Sequence, residues 1–195
     1  DGDCDQVAYI DDCGECDDSS NTDCLDLYID LHMGSNLISF YALAEDVSVG
    51  TVFGDAEGVL TEGSAAFNND GYWIGSLKEV YQENGYWVIV NVNDTLEILD
   101  ADPINYDMDG EVIYSMHYGP NLISYSLDDC GYIQEVIPDD IIACIFGILW
   151  QGSSAINLGD FGWAGSLSIL CPDEGYWFIS QCSDVSFSYV EPTSV

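Results

Sequence analysis

The sequence predicts a mainly β protein with two tandem β-sandwich modules, each with one short helix, behind a disulfide-rich acidic N-terminal segment. Two observations support this prediction. Four sequence blocks occur twice in the same order, which indicates a tandem duplication. Stretches of alternating apolar and polar residues recur between turn residues, which is typical of short, half-buried strands. We assign residues 1–24 to the N-terminal segment, 25–102 to the first module and 103–195 to the second.

The duplication is clearest in two aromatic motifs. The motif Gly-Tyr-Trp-x-Ile occurs at residues 85–89 and again at 175–179. A Trp-x-Gly-Ser-Leu block begins fourteen residues before each of those tryptophans, at Trp73 and Trp163. The other two repeated blocks are His-x-Gly-x-Asn-Leu-Ile-Ser at 32–39 and 117–124, and Gly-Ser-Ala/Ser-Ala at 63–66 and 152–155.

Each module is expected to begin with strands and to contain one helix. In the first module, residues 25–31 alternate between apolar and polar side chains and predict a strand. A helix should follow over residues 45–53, with Asp46 as its cap and Gly54 as its end. In the second module the equivalent helix is predicted over 132–137, ended by Pro138. The remaining strands are predicted at 37–41, 58–67, 72–77, 85–92, 95–99 and 185–190.

The charge balance excludes two classes of partner. The chain has 36 acidic residues and one basic residue, Lys78, which gives a net charge of −35. Such a chain lacks the basic surface that nucleic acids and anionic membranes require. The longest apolar run, residues 141–150, is too short to span a bilayer. Because 48% of the residues are hydrophobic, the composition still predicts a folded protein. Bound divalent cations, salt or distance between the carboxylates would have to offset the repulsion among its acidic groups.

The eight cysteines fall into two groups that predict two bridges each: Cys4, Cys13, Cys16 and Cys24 in the N-terminal segment, and Cys130, Cys144, Cys171 and Cys182 in the second module. Disulfides imply an oxidising, extracellular setting. A zinc site is the alternative at Cys13 and Cys16, although no second Cys-x-x-Cys follows.

The spacing of the four cysteines in the second module limits which of them can form a disulfide with each other. Cys171 and Cys182 flank a predicted strand that would hold them roughly 30 Å apart. We therefore exclude a 171–182 bridge, and with it a 130–144 bridge.

The N-terminal segment is too rich in carboxylates to fold by hydrophobic burial. Disulfides and calcium would have to hold it. The expected calcium ligands are Asp1, Asp3, Asp5, Asp11, Asp12, Asp17 and Asp18. The segment is not an EF-hand loop, because positions six and twelve hold Gln6 and Asp12 instead of glycine and glutamate. The alternative is a solvated acidic linker.

Residues 11–16 resemble Asp/Cys-rich repeats related to thrombospondin type 3 repeats, through the sequence Asp-Asp-Cys-Gly-Glu-Cys. That resemblance implies calcium binding by the aspartates. The spacing departs from the longer Asp-x-Asp-x-Asp-Gly pattern of those repeats.

The four repeated blocks resemble tandem modules near the C-termini of large secreted bacterial surface proteins. The resemblance covers residues 25–191. It implies an extracellular or cell-surface adhesive protein with β-rich, Ig-like modules, and it supplies no catalytic residues.

The sequence contains no catalytic motif. It has no serine nucleophile elbow, no phosphate loop and no histidine-rich metal motif. We expect neither an enzyme nor an organic cofactor; a glycosidase working from two acids is the alternative, but nothing singles out the pair. His32 and His117 occupy equivalent positions beside a turn, so each is expected to make a structural hydrogen bond. The repeated tryptophans are expected to anchor the cores.

The predicted function is that of an extracellular structural subunit that assembles with copies of itself into a filament or pilus-like fibre. The donor strand is predicted to be Gln6, Val7, Ala8, Tyr9 and Ile10, a β-prone run without a partner strand of its own. It would add to a neighbour's sheet at the apolar run 141–150, with calcium at the contact. The alternative is that residues 1–24 fold back onto their own first module.

A second hypothesis is a carbohydrate-binding adhesin module, in which exposed members of Trp73, Trp150, Trp163 and Tyr72 stack on sugar rings. Glycans would then be partners. The sequence also contains one Asn-x-Thr glycosylation pattern, at Asn93, which lies between two predicted strands.

Overall fold

The prediction of a mainly β protein is confirmed. The computed structural model describes residues 9–10, 16–17, 25–101 and 112–192. In the N-terminal segment, β1 (Tyr9–Ile10) pairs with β2 (Cys16–Asp17). The first module contains β3 (Leu25–Leu31), β4 (Gly34–Ile38), α1 (Val49–Phe53), β5 (Gly58–Thr61), β6 (Ser64–Asn69), β7 (Tyr72–Gly75), β8 (Tyr86–Val90) and β9 (Asp94–Ala101).

The second module follows a closely similar plan. It contains β10 (Tyr114–Met116), β11 (Gly119–Ile123), β12 (Gly131–Tyr132), α2 (Ile133–Val136), α3 (Asp139–Ile142), β13 (Ile145–Trp150), β14 (Ser153–Asn157), a 3₁₀ turn (Gly159–Phe161), β15 (Trp163–Gly165), β16 (Ile169–Leu170), β17 (Tyr176–Ser180) and β18 (Val185–Phe187). No helix in the described part of the chain is long and apolar enough to cross a membrane.

The five-stranded sheets of the two modules have the same topology, as expected of a duplication, and the second module adds a two-stranded sheet, β12-β16. The first has a five-stranded antiparallel sheet in the order β4-β8-β5-β6-β7, and the second has β11-β17-β13-β14-β15. A two-stranded ribbon packs on each sheet, β3-β9 in the first module and β10-β18 in the second. The side chains of ribbon and sheet share one apolar cluster in each module, so each module is a two-layer sandwich.

The repeated His-x-Gly-x-Asn block forms the turn between ribbon and sheet. The buried Asn36 side chain accepts a hydrogen bond from the His32 amide at 2.9 Å and donates one to the His32 carbonyl at 2.8 Å. Asn121 makes the same pair of bonds with His117. Gly34 has φ +110°, a conformation that strongly favours glycine. The histidine–glycine–asparagine pattern occurs in both modules because the turn requires a glycine at a positive φ and an asparagine that bonds to the main chain.

In the repeated Gly-Tyr-Trp block the tyrosine is the core residue. Tyr86 is fully buried, and its hydroxyl accepts a hydrogen bond from the Tyr81 amide at 2.7 Å. Tyr176 does the same for the Cys171 amide at 2.8 Å. Trp87 points to the opposite face of β8 and is only half-buried.

The expectation that the tryptophans anchor the cores is therefore wrong for Trp87 and Trp177. The alternation of strand residues places them opposite the buried tyrosines. Trp73, Trp150 and Trp163 lie at the margins of the two cores.

Two predictions about the helices need correction. In the first module the helix begins at Val49, and Asp46 precedes its N-cap, Ser48. The Asp46 carboxylate accepts hydrogen bonds from the Ser48 amide and the Thr51 hydroxyl, which lower its pKa. In the second module Pro138 ends α2 but also serves as the N-cap of a second helix, α3, because its fixed φ suits that position.

One long strand prediction was also wrong. Residues 58–67 form two strands, β5 and β6, joined by a tight turn at Glu62 and Gly63. Gly63 has φ +76°, which favours the reversal.

Candidate functional site

The two modules join at the edges of their five-stranded sheets. The outer side of β4 meets residues 173–175, and the outer side of β11 meets residues 83–85. Four main-chain hydrogen bonds form two equivalent pairs: Ser39 N–H to Asp173 O (3.1 Å) with Ser124 N–H to Glu83 O (3.2 Å), and Gly175 N–H to Leu37 O (3.4 Å) with Gly85 N–H to Leu122 O (3.2 Å). We call this contact the module junction.

The glycine of each Gly-Tyr-Trp block permits the close approach at the module junction. A Cβ atom on Gly85 would lie 2.8 Å from a methyl carbon of Leu122 and 2.9 Å from the Ile123 carbonyl oxygen. A Cβ atom on Gly175 would lie 2.6 Å from the Ile38 carbonyl oxygen. All three distances are shorter than real Cβ contacts, so a side chain at either position would separate the modules.

Each histidine of the repeated blocks reaches across the module junction. Nδ1 of His117 lies 2.8 Å from the Tyr118 carbonyl, and Nε2 lies 2.5 Å from Oε1 of Glu62. The other Glu62 oxygen accepts the Leu122 amide at 3.1 Å. The prediction that the histidines make structural hydrogen bonds is confirmed, and their partners in the other module were not foreseen.

The equivalent contact in the other direction uses an amide instead of a carboxylate. Gln151 stands where the first module has Glu62; its Oε1 accepts the Leu37 amide at 3.1 Å, and its Nε2 lies 2.5 Å from Nε2 of His32. The Gln151 nitrogen is a donor, so His32 accepts there and donates through Nδ1 to the Met33 carbonyl.

His117 has a different requirement because both of its ring nitrogens face acceptors. Only the doubly protonated imidazolium can donate to Glu62 and to the Tyr118 carbonyl together. These hydrogen bonds, first that to Glu62, raise the pKa of His117 above its ordinary value of 6.5. The pair is the one ion pair within the described ranges. A single Glu/Gln difference thus makes two otherwise equivalent contacts chemically distinct.

A half-buried carboxylic acid, Asp173, lies on the second-module side of the junction. Burial, and to a smaller extent the neighbouring Glu174 carboxylate, raises the pKa of Asp173 to about 6. Oδ1 of Asp173 is buried without a hydrogen-bond partner. Burial also raises the pKa of Glu174, which accepts a hydrogen bond from the Tyr176 hydroxyl at 2.5 Å.

Two disulfides hold the second module. Cys130 bonds to Cys171 and Cys144 bonds to Cys182. The prediction of two bridges within this group, without a 171–182 bridge, is confirmed. These bridges indicate an oxidising environment.

Among the residues that the structure describes, nothing pairs with the outer edges of the two five-stranded sheets. Within the described residues, β7 pairs only with β6 and β15 pairs only with β14. The inner edges, β4 and β11, are closed by the module junction. An open edge presents unpaired main-chain groups that can accept another strand.

The apolar run 141–150 is not such an edge, so the predicted acceptor is wrong. Its strand, β13, lies between β17 and β14 and has hydrogen-bonded neighbours on both sides. The long apolar run reflects burial in the middle of a sheet.

Most predicted site residues of the N-terminal segment lie outside the described residues, including Asp1, Asp3, Asp5, Asp11, Asp12, Asp18, Gln6, Val7, Ala8, Cys4, Cys13 and Cys24. Asp17 and Cys16 lie in β2. Tyr9 and Ile10 pair with them in β1, so the expectation that this run has no partner strand is wrong for those two residues.

Asn93 lies in the exposed turn between β8 and β9, as predicted. Its side-chain oxygen accepts the Met33 amide at 2.9 Å. Its amide nitrogen, the atom a glycan would modify, is not used in that bond.

Compared with known proteins, the chain matches no family model, no curated protein and no solved structure.

Proposed function

We propose that the chain is an extracellular structural subunit that assembles with copies of itself into a filament or pilus-like fibre. The observation that carries this proposal is the distribution of sheet edges. The edge strands β4 and β11 each contact the other module at the module junction, while β7 and β15, among the described residues, have no hydrogen-bonded strand on their outer sides. A subunit with two open edges can make two contacts, and two contacts suffice for an open-ended chain.

The proposed donor is the N-terminal segment, residues 6–10, and the proposed acceptor is an open edge of a neighbouring subunit. Main-chain hydrogen bonds to the edge would supply affinity, and alternate side chains would supply specificity. Calcium held by the aspartates of the N-terminal segment would offset repulsion between subunits of net charge −35. The disulfides of the second module suit an extracellular location.

Electron microscopy and light scattering test this function. We expect polymers of the full chain in calcium, and their loss when residues 1–24 are deleted or a chelator is added. A synthetic peptide of residues 1–24 should shorten the polymers by competing for the acceptor edge. A full chain that stays monomeric at high concentration in calcium would refute the proposal. Polymers that persist in chelator but are lost when residues 1–24 are deleted would contradict only the proposed role of calcium.

A second candidate function is glycan binding by exposed aromatic rings. Tyr72 on β7 and Phe161 before β15 are exposed at equivalent ends of the two sheets. Exposed rings can stack on sugars, whereas Trp150 and Trp163 are only half-exposed. A glycan array with the full chain and with Tyr72→Ala tests this. Binding that the substitution abolishes would support the adhesin function, and no binding by either protein would exclude it.

A further inference from the structure

We propose that β7 is a self-association edge, at which two copies of this chain pair their β7 strands antiparallel about a local two-fold axis. This inference goes beyond the proposed function because it uses neither the N-terminal segment nor calcium. It assigns the open edge of the first module to a second copy and leaves β15 for other contacts.

The main chain of β7 is available for such a pairing. Within the described part of the chain, its four residues pair with β6 and with no second strand. Every second residue of an edge strand directs its amide and carbonyl away from the sheet, and these groups can form an antiparallel ladder. The strand has the sequence Tyr-Trp-Ile-Gly and contains no charged side chain. Close approach of two β7 strands therefore brings no like charges opposite each other within the ladder.

The side chains of β7 supply an apolar strip. Trp73 faces inward, where its ring lies 6.4 Å from that of Phe53. Tyr72 and Ile74 face outward and are 75% and 61% exposed, and Phe67, opposite Ile74 on β6, is 52% exposed. Directly opposed residues of an antiparallel pair share one face. A pairing centred on Trp73 thus places Tyr72 of each copy beside Ile74 of the other.

The charges flanking β7 favour the same orientation. Lys78, the one basic residue of the chain, lies three positions after β7 and is exposed. It makes no ion pair with the described residues. Asp70 lies two positions before β7. An antiparallel pair brings Lys78 of each copy toward Asp70 of the other, at both ends of the ladder. Complementary charges here matter because two copies of net charge −35 otherwise repel each other.

The equivalent edge strand of the second module, β15, can be compared with β7. It has three residues, and the repeated Trp-x-Gly-Ser-Leu block aligns Ala164 with Ile74 and Ser168 with Lys78. Asp160 aligns with Asp70. The β15 edge therefore lacks both the large apolar side chain and the cation. If only the open main chain mattered, both edges would associate equally.

Sedimentation velocity of the full chain in chelator at physiological ionic strength tests the proposal. We expect a reversible monomer–dimer equilibrium, weak because a four-residue ladder is short. Ile74→Lys should weaken dimerisation at least about tenfold, since a charged edge residue opposes pairing, whereas Ala164→Lys should change it by less than about twofold. Both substitutions add the same charge, so the difference reports the edge that is used.

Two further measurements keep the proposal testable if Ile74→Lys does not fold. Lys78→Glu, on the surface, should weaken the dimer, and adding Asp70→Asn should restore part of the loss because the new like-charge contact is removed. Ser168→Glu is the matched control.

Hydrogen exchange should show protection of residues 72–75 that rises with protein concentration, without such a rise at 163–165. A monomer at every concentration, equal effects of Ile74→Lys and Ala164→Lys, or concentration-dependent protection confined to β15 would overturn the proposal, whatever the outcome of the polymer experiments.

Discussion

Nε2 of His117 lies 2.5 Å from Oε1 of Glu62, across the junction between the two modules. The equivalent contact in the other direction joins His32 to Gln151. The duplication has thus produced two nearly identical contacts, of which only one includes a carboxylate. Of the two contacts, only His117–Glu62 pairs a histidine ring with a carboxylate, and this pair makes the module junction sensitive to pH.

The first prediction concerns the His117–Glu62 pair. Its hydrogen bonds raise the pKa of His117, so the contribution to stability is present below the ordinary value of 6.5 and is lost as pH rises through the higher folded value. Glu62→Gln should lower the pKa of His117, because the new partner copies Gln151. An NMR titration of the His117 ring protons measures this.

The reciprocal change is the control. Gln151→Glu should create a second ion pair across the module junction, because a carboxylate would then face the Nε2 atom of His32. If Glu62→Gln leaves the His117 titration unchanged, the two side chains do not interact in solution. Because both are exposed, we expect a clear pKa change but only a small effect on overall stability.

The second prediction concerns Asp173. Burial raises its pKa from 3.8 to about 6, so its contribution to stability is present below 3.8 and is lost as pH rises through about 6. Asp173→Asn should stabilise the protein at pH 7 to 8 by at most about 3 kcal/mol, since the neutral side chain avoids burying a charge. Asparagine also tolerates the positive φ of 64° at this position.

Urea unfolding at several pH values measures the effect of Asp173→Asn. The increase in the free energy of unfolding, relative to the protein with Asp173, should be large at pH 8 and small at pH 4. Glu174 and Tyr41 face the same region, and burial raises the pKa of both, so part of the pH dependence will persist in the variant. An equal gain at both pH values would contradict the assignment to Asp173.

The third prediction concerns the disulfides. The Cys144–Cys182 and Cys130–Cys171 bridges close segments of 38 and 41 residues, and the described first module contains no cysteine. Replacing Cys144 and Cys182 together by alanine should destabilise the second module by about 2–4 kcal/mol. Hydrogen exchange followed by mass spectrometry would locate the effect. Faster exchange in β13 and β17 is expected, with β5 and β8 much less affected.

The fourth prediction concerns the buried asparagines of the turns. Asn36→Ala removes the acceptor of the His32 amide and the donor to the His32 carbonyl. Each of these part-buried hydrogen bonds contributes about 0.5–1.5 kcal/mol, so the loss of both should clearly destabilise the variant. Asn121→Ala should cost a similar amount in the second module. Thermal unfolding checks both, with the exposed Asn69→Ala as the control expected to shift stability by less than about 0.5 kcal/mol.

Several features follow from the sequence alone because they depend on local chemistry. The alternating apolar residues of 25–31 predict β3, since the period of two in a strand decides which side chains share a face. Gly34 and Asn36 signal the following turn, because only that chemistry suits its dihedral angles and its buried hydrogen bonds. The pairing limits on Cys171 and Cys182 follow from the length of the strand between them.

The tertiary structure alone decided which elements become neighbours. Alternation places Tyr86 and Trp87 on opposite faces, but it does not say which face the core covers. Whether β13 is central or at an edge depends on β17, which lies beyond β14, β15 and β16 in the sequence. The contact of His117 with Glu62 spans 55 positions and arises only when the two modules pack together. Local sequence thus determined the strands and turns of this protein, whereas long-range packing decided its buried faces, its open edges and its pH-sensitive junction.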